Sequence, residues 1–270
     1  MNNMNPKSID SKDVPDPRIK IDRPPVSLDD AQARRNENWS SRAEQYHENW
    51  ANADVEEQLY RELEAQILVN HVGACAGKKL LDVCCGTGRN TLALAATGAR
   101  VWGLDGAIGM LETAQANAVA EGFDVTFVQG DARALPFEDN QFDGVVGTRF
   151  MYMVKGEDKR TVVSEFARVV RPGGKIALHF NNGLWGTKNE LAEIFFGRKP
   201  RFRDRYLWPG QVSHLFKGLH VDAVVGIKFF RLSLISRLIG KKNAMRFNRV
   251  LRVPGLAYLS AYVLVLATKE

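Results

Sequence analysis

Between Lys78 and Phe180 the sequence alternates short apolar runs with helical stretches, and this alternation constrains the fold more than any other feature. KKLLDVCC, RVWGLD, DVTFVQGDA, FDGVVGT and KIALHF read as five buried strands. NTLALAATG, AIGMLETAQANAVAEG and DKRTVVSEFARVV read as helices between them. Strand and helix in strict alternation imply a parallel sheet covered by helices on both faces, because each crossover must bury its apolar stripe on the sheet. VDAVVGIKFF and AYVLVLATK, separated by a long segment, bring the expected strands to seven. The predicted class is therefore α/β, Rossmann-like.

Two helices are expected ahead of this region. Asp29 or Asp30 can cap one that runs toward Trp50, and VEEQLYRELEAQILVNHV places Leu59, Leu63, Ile67 and Val69 or Leu68 near helical spacing. Residues 1–26 carry five prolines among polar and charged residues and read as a flexible leader, leaving 27–270 as one domain. Three cysteines give no disulfide framework, and Cys75 has no CxxC partner, which fits a reducing, cytoplasmic setting. The longest apolar run, GLAYLSAYVLVLA, is too short to span a bilayer.

The chemistry concentrates at the ends of the first three strands. In KLLDVCCGTGRN a strand ends in Asp82 and passes through a glycine turn into a helix, an arrangement that brings backbone amides to a nucleotide. Gly86 and Gly88 fit the first two positions of GxGxxG, but Thr91 stands where the third glycine would pack, which weakens a dinucleotide reading. Asp105 ends the second strand and Asp131 follows the third, so three successive strands each deliver an acid to the carboxyl edge.

These residues resemble the class I S-adenosylmethionine-dependent methyltransferases. LLDVCCGTGRNT is similar to their first motif, GLDGAIGML to the second, GDARALPFEDNQFDGVV to the third and fourth, and FARVVRPGGKIAL to the stretch leading into the fifth strand. The resemblance implies a cofactor, S-adenosyl-L-methionine. It implies that Asp82, Cys84 and the Gly86 to Gly88 turn hold the methionine end, and that Asp105 with Gly106 takes the ribose. Asp131 and Ala132 would read the adenine edge, Met110 would lie against the ring, and Thr148 would flank the sulfonium. Tyr46 belongs to a helical segment that in this family closes over the cofactor as a lid.

Cys84 departs from the family pattern, which has glycine there. Relatives resembling the menaquinone-pathway methyltransferases also show DVCCGTG, yet they carry an ETS-type signature where this chain has HFNNGLW. The cysteine pair has no nearby His to complete a metal site, and no metal is expected. A thiolate activated at a helix terminus is the alternative to a small apolar side chain beneath the cofactor.

Methyl transfer needs alignment and exclusion of water more than it needs a base. For a hydroxyl acceptor His179 is the first candidate base, with His214 and Tyr152 behind it. The charge of +6 is uneven: residues 198–252 hold fourteen Lys or Arg against two acids. Arg201, Arg203 and Arg205 fall in an expected substrate cap over 183–217, and with Arg149 and Tyr152 they are candidates to bind an acidic group on the acceptor. Arg246, Arg249 and Arg252 recur on a second cap element over 230–257, read either as a solvated basic helix face or as a weak membrane-surface contact. Nucleic acid is not expected, because TRFMY stands where base-amino methyltransferases carry Asn/Asp-Pro-Pro-aromatic.

The expected function is methyl transfer to a hydroxyl or amine of a small-molecule intermediate. The rivals are a membrane-associated quinone or lipid methyltransferase and a protein that binds the cofactor without methylating.

Overall fold

The computed structural model describes residues 30–183, 206–227, 257 and 260–270. Three helices lead the chain: α1 (Asp30–Ser40), α2 (Ala43–Ala51) and α3 (Val55–His71). The single helix expected up to Trp50 is thus two, broken at Ser41 and Arg42, where α1 ends and the chain turns toward α2. Asp54 caps α3 by accepting the Glu57 amide at 2.8 Å; Leu59, Leu63 and Ile67 are buried as their spacing predicts, and of the two candidates for the fourth position Leu68 is buried and Val69 half-buried.

The alternating region then gives β1 (Lys79–Val83), α4 (Arg89–Ala95), β2 (Arg100–Asp105), α5 (Ile108–Ala120) and β3 (Val125–Gln129). It continues with β4 (Phe142–Gly147), α6 (Asp158–Val169) and β5 (Val170–Asn182). A short β6 (Tyr206–Leu207), a four-residue α7 (Val212–Leu215), β7 (Leu219–Gly226) and β8 (Tyr262–Lys269) follow. The sheet order is β3-β2-β1-β4-β5-β8-β7, with β6 paired to the end of β5. The seven expected strands are all present, and β6 makes an eighth.

β1 to β5 are parallel, whereas β8 runs antiparallel between β5 and β7. The order reverses beside β1, where the crossovers to β2 and β4 leave in opposite directions and open a crevice at the carboxyl edge. Successive β1 residues face opposite sides: Leu80 joins a core with Leu63, Leu94 and Leu111, and Leu81 joins one with Val162 and Phe166. No helix among the described residues is long and apolar enough to cross a membrane.

Candidate active site

The turn after β1 is built from left-handed backbone. Cys84, Gly86 and Gly88 have φ of 57°, 57° and 90°, and Gly88 opens α4. Left-handed geometry at a side-chain-bearing residue costs about 1–2 kcal/mol, so Cys84 carries a strain that a glycine would not. A side chain at Gly88 would meet Ala114 of α5 at 3.2 Å, whereas one at Gly86 would reach only the Tyr46 ring, at 4.0 Å. Burial, aggravated by Asp105, pushes the Cys84 and Cys85 thiols well above their usual range. These are poor conditions for a thiolate nucleophile. Cys85 packs behind the turn, its Sγ beside Gly103.

A cavity of about 550 Å³ opens along this edge, within the range that suits a small ligand or cofactor. Asp105 lies on its wall and accepts the Gly86 amide at 2.9 Å through Oδ2 and the Ala107 amide at 2.9 Å through Oδ1. Those bonds aim the carboxylate at the turn and leave acceptor capacity, since an ionised carboxyl offers about four lone-pair sites. Burial nevertheless raises its pKa, against the opposing pull of those amides. Asp131 is paired to Arg133 at 2.6 Å, and although burial opposes it, that guanidinium holds the carboxyl below its usual range.

Tyr46, Cys84, Gly86, Asp105, Gly106, Met110, Asp131, Ala132, Thr148, Arg149, Tyr152 and His179 all line the cavity. Three expected site residues do not. Asp82 lies buried beneath the turn, where it accepts the Thr91 hydroxyl at 2.7 Å. Gly88 is turned toward α5. His214 is exposed on α7, because the buried Val212 and Phe216, four residues apart, direct it outward. Arg201, Arg203 and Arg205 lie outside the described residues, as do Arg246, Arg249, Arg252 and the leader 1–26.

Arg149 lines the cavity yet is already engaged. It has φ of 58° and bonds Glu57 at 2.6 Å and Glu64 at 3.2 Å. Glu64 of α3 is the hub: Arg89 reaches it at 2.5 Å and His179 Nδ1 at 2.5 Å. Burial would raise its pKa, but His179, Arg149 and Arg89 override that and hold it well below the usual carboxylate range. Glu64 was missed by motif reasoning, although its position on the apolar face between Tyr60 and Leu68 is a signal in the sequence.

The leading helices close one side. Ser40 accepts the Gly109 amide through its hydroxyl at 3.2 Å, and a side chain at Gly109 would meet the Ser40 carbonyl at 2.6 Å. Asn36 of α1 abuts Gly106, and Trp39 meets Tyr46 edge-on at 6.0 Å. Three residues that line the cavity each carry a buried polar atom with no hydrogen-bond partner among the described residues: Asn36 Nδ2, Asn90 Oδ1 and His179 Nε2. Buried polar groups are rarely left unpaired, so these atoms point to a polar ligand. The acid at the β2 edge, the left-handed turn and the unpaired amides fit a nucleoside joined to an amino acid.

The sequence profile of the family described as "Methyltransferase domain" matches residues 80–174, which run from β1 into β5. A demethylmenaquinone methyltransferase of Renibacterium salmoninarum is 36% identical over 122 residues, 45% of this chain and 49% of that protein. The chain thus spans about half the length of that relative. An uncharacterised protein of Mycobacterium tuberculosis is 33% identical over 190 residues, 68% of each chain. Among solved structures, a geranyl diphosphate C-methyltransferase from Streptomyces coelicolor A3(2), in complex with S-adenosyl-L-homocysteine, shares the fold. Its TM-score is 0.54 at 16% identity, over 77% of this chain and 79% of that one.

Proposed function

The chain belongs to the class I S-adenosylmethionine-dependent methyltransferases, and from that premise we propose that it methylates a hydroxyl or amine of a small-molecule intermediate. The carrying observation is the Asp105 carboxylate, fixed by the Gly86 and Ala107 amides on the wall of a cavity of about 550 Å³. In this reading Asp105 accepts the ribose hydroxyls, Asp131 and the Ala132 amide meet the adenine, and Met110 lies against its ring. The turn from Cys84 to Gly88 holds the amino-acid end, with Asp82 beneath it as a support.

S-adenosylmethionine supplies a methyl group already activated on a sulfonium. The chain's own part is to position the acceptor and exclude water. Tyr46, Trp39 and Asn36 cover one side of the cavity, and Tyr152, His179 and Tyr262 form the wall left for the acceptor. Arg149 is already engaged by Glu57 and Glu64, which leaves it little capacity for an acidic acceptor group.

The test is incubation of the full chain with methyl-labelled cofactor and a metabolite extract. Label should enter at least one compound; tight cofactor binding without any labelled product favours the non-methylating reading. A quinol acceptor is a second reading, supported by the likeness to demethylmenaquinone methyltransferase. It requires flotation of the chain with anionic liposomes at low salt.

A further inference from the structure

The His179 ring is 2% exposed and Glu64 is fully buried, yet they come from elements 115 residues apart. Their bond is 2.5 Å through Nδ1, while Nε2 is buried with no partner among the described residues, and His179 is one of the residues that line the cavity. Resting on the methyl-transfer reading, we propose that Glu64 is a positioning residue that holds His179 with Nδ1 protonated and Nε2 bare, making His179 the general base for an acceptor hydroxyl.

The tautomer follows from the partners. A carboxylate bonded by Arg89 and Arg149 stays ionised and can only accept, so the proton in its bond to the imidazole sits on Nδ1. Neutral imidazole then presents its lone pair at Nε2. The charged groups around the ring are Glu57, Arg61 and Glu64 of α3, Arg89 of α4 and Arg149 after β4, three cations against two carboxylates; Tyr262 of β8 adds its ring at 5.1 Å. A neutral imidazole adds no further charge to this cluster. When it takes a proton, the imidazolium lies directly against the Glu64 carboxylate, which stabilises it.

Such a base selects a hydroxyl over an amine. A neutral amine attacks with its own lone pair and sheds its proton afterwards, whereas a hydroxyl oxygen is weakly nucleophilic until its proton is leaving. In the step, the acceptor O–H bond breaks with its proton passing to Nε2, and the freed oxygen pair forms the new C–O bond. The methyl–sulfur bond breaks with its electron pair retained by sulfur, which becomes neutral. The imidazolium then releases the proton to solvent, and the product is a methyl ether.

Two measurements on the full chain test this. The first is 15N NMR of histidine-labelled protein with S-adenosylhomocysteine bound, the His179 signals assigned by their loss in His179→Gln. The second is label transfer to phenols and to anilines of the same ring skeletons. We expect the Nδ1-protonated tautomer, and label on phenols only. His179→Gln should slow phenol labelling by about 100-fold or more with S-adenosylhomocysteine affinity unchanged. Glu64→Gln should populate the Nε2-protonated tautomer of His179 in the 15N spectrum, because a side-chain amide can donate as well as accept, a change that loss of packing alone does not produce. An Nε2-protonated His179 in wild type at neutral pH, or anilines labelled as well as phenols, overturns the proposal. If neither ring series is labelled, the tautomer decides alone, the Nδ1 form upholding it. Absence of S-adenosylhomocysteine binding instead overturns the methyl-transfer reading.

Discussion

Thr91 donates its hydroxyl to Asp82 Oδ2 at 2.7 Å beneath the turn, while Asp82 Oδ1 has no partner among the described residues. Both side chains are buried, and Thr91 occupies the place where a third glycine would have closed a dinucleotide loop. The pair ties the first helical turn of α4 to the end of β1, which fixes the backbone that faces the cavity.

Burial raises the Asp82 pKa to about 7, against the opposing effects of Thr91 and Arg89. A carboxyl whose folded pKa lies above its unfolded value favours the fold while protonated. Its contribution is full below about pH 4 and is lost as pH rises through about 7. Asp82→Asn does not ionise, so its stability relative to wild type should improve between pH 5 and pH 8, by up to about 1.4 kcal/mol per pH unit. Urea unfolding at the two pH values measures this; an unchanged difference rejects the assignment.

Asp105→Ala should weaken S-adenosylhomocysteine binding by about 10- to 100-fold, the worth of charge-assisted hydrogen bonds of 1.5–3 kcal/mol. Titration calorimetry is the check, and equal affinity in the variant removes Asp105 from the cofactor site.

Cys84→Gly should retain cofactor binding and activity and gain stability, because glycine adopts a φ of 57° without strain. The gain is about 1 kcal/mol, offset in part by glycine's larger unfolded-state entropy. In wild type, alkylation of Cys84 at pH 8 should be slower than that of the exposed Cys75. Loss of all activity with binding intact would make the thiol a participant in the chemistry.

Gly109→Ala tests the closure by α1. Its Cβ would lie 2.6 Å from the Ser40 carbonyl and 2.9 Å from the Ser40 Cα, backbone atoms that cannot rotate away. Overpacking of this kind costs about 1–3 kcal/mol. The expected result is a lower Tm and faster limited proteolysis near Ser41, with α3 and the sheet intact by hydrogen exchange.

The parallel α/β core and the acids at the ends of β1 to β3 were legible in the residues alone, because both rest on local signals: period-two and helical patterning, a glycine turn, and strand-terminal carboxylates. The arrangement of β8 between β5 and β7, antiparallel to both, was not legible, since strand direction is set by how distant segments pair. The same limit applies to the site. Asp82 and Asp105 look alike in their motifs, yet one lies under Thr91 and the other faces the cavity. Arg149 reads as a free cation until Glu57 and Glu64 are brought against it, and His214 as a second candidate base behind His179 until α7 turns it outward. Only tertiary structure joins Glu64 to His179. Burial excludes water from both and leaves each the other's hydrogen-bond partner, a relation that 115 residues of separation conceal.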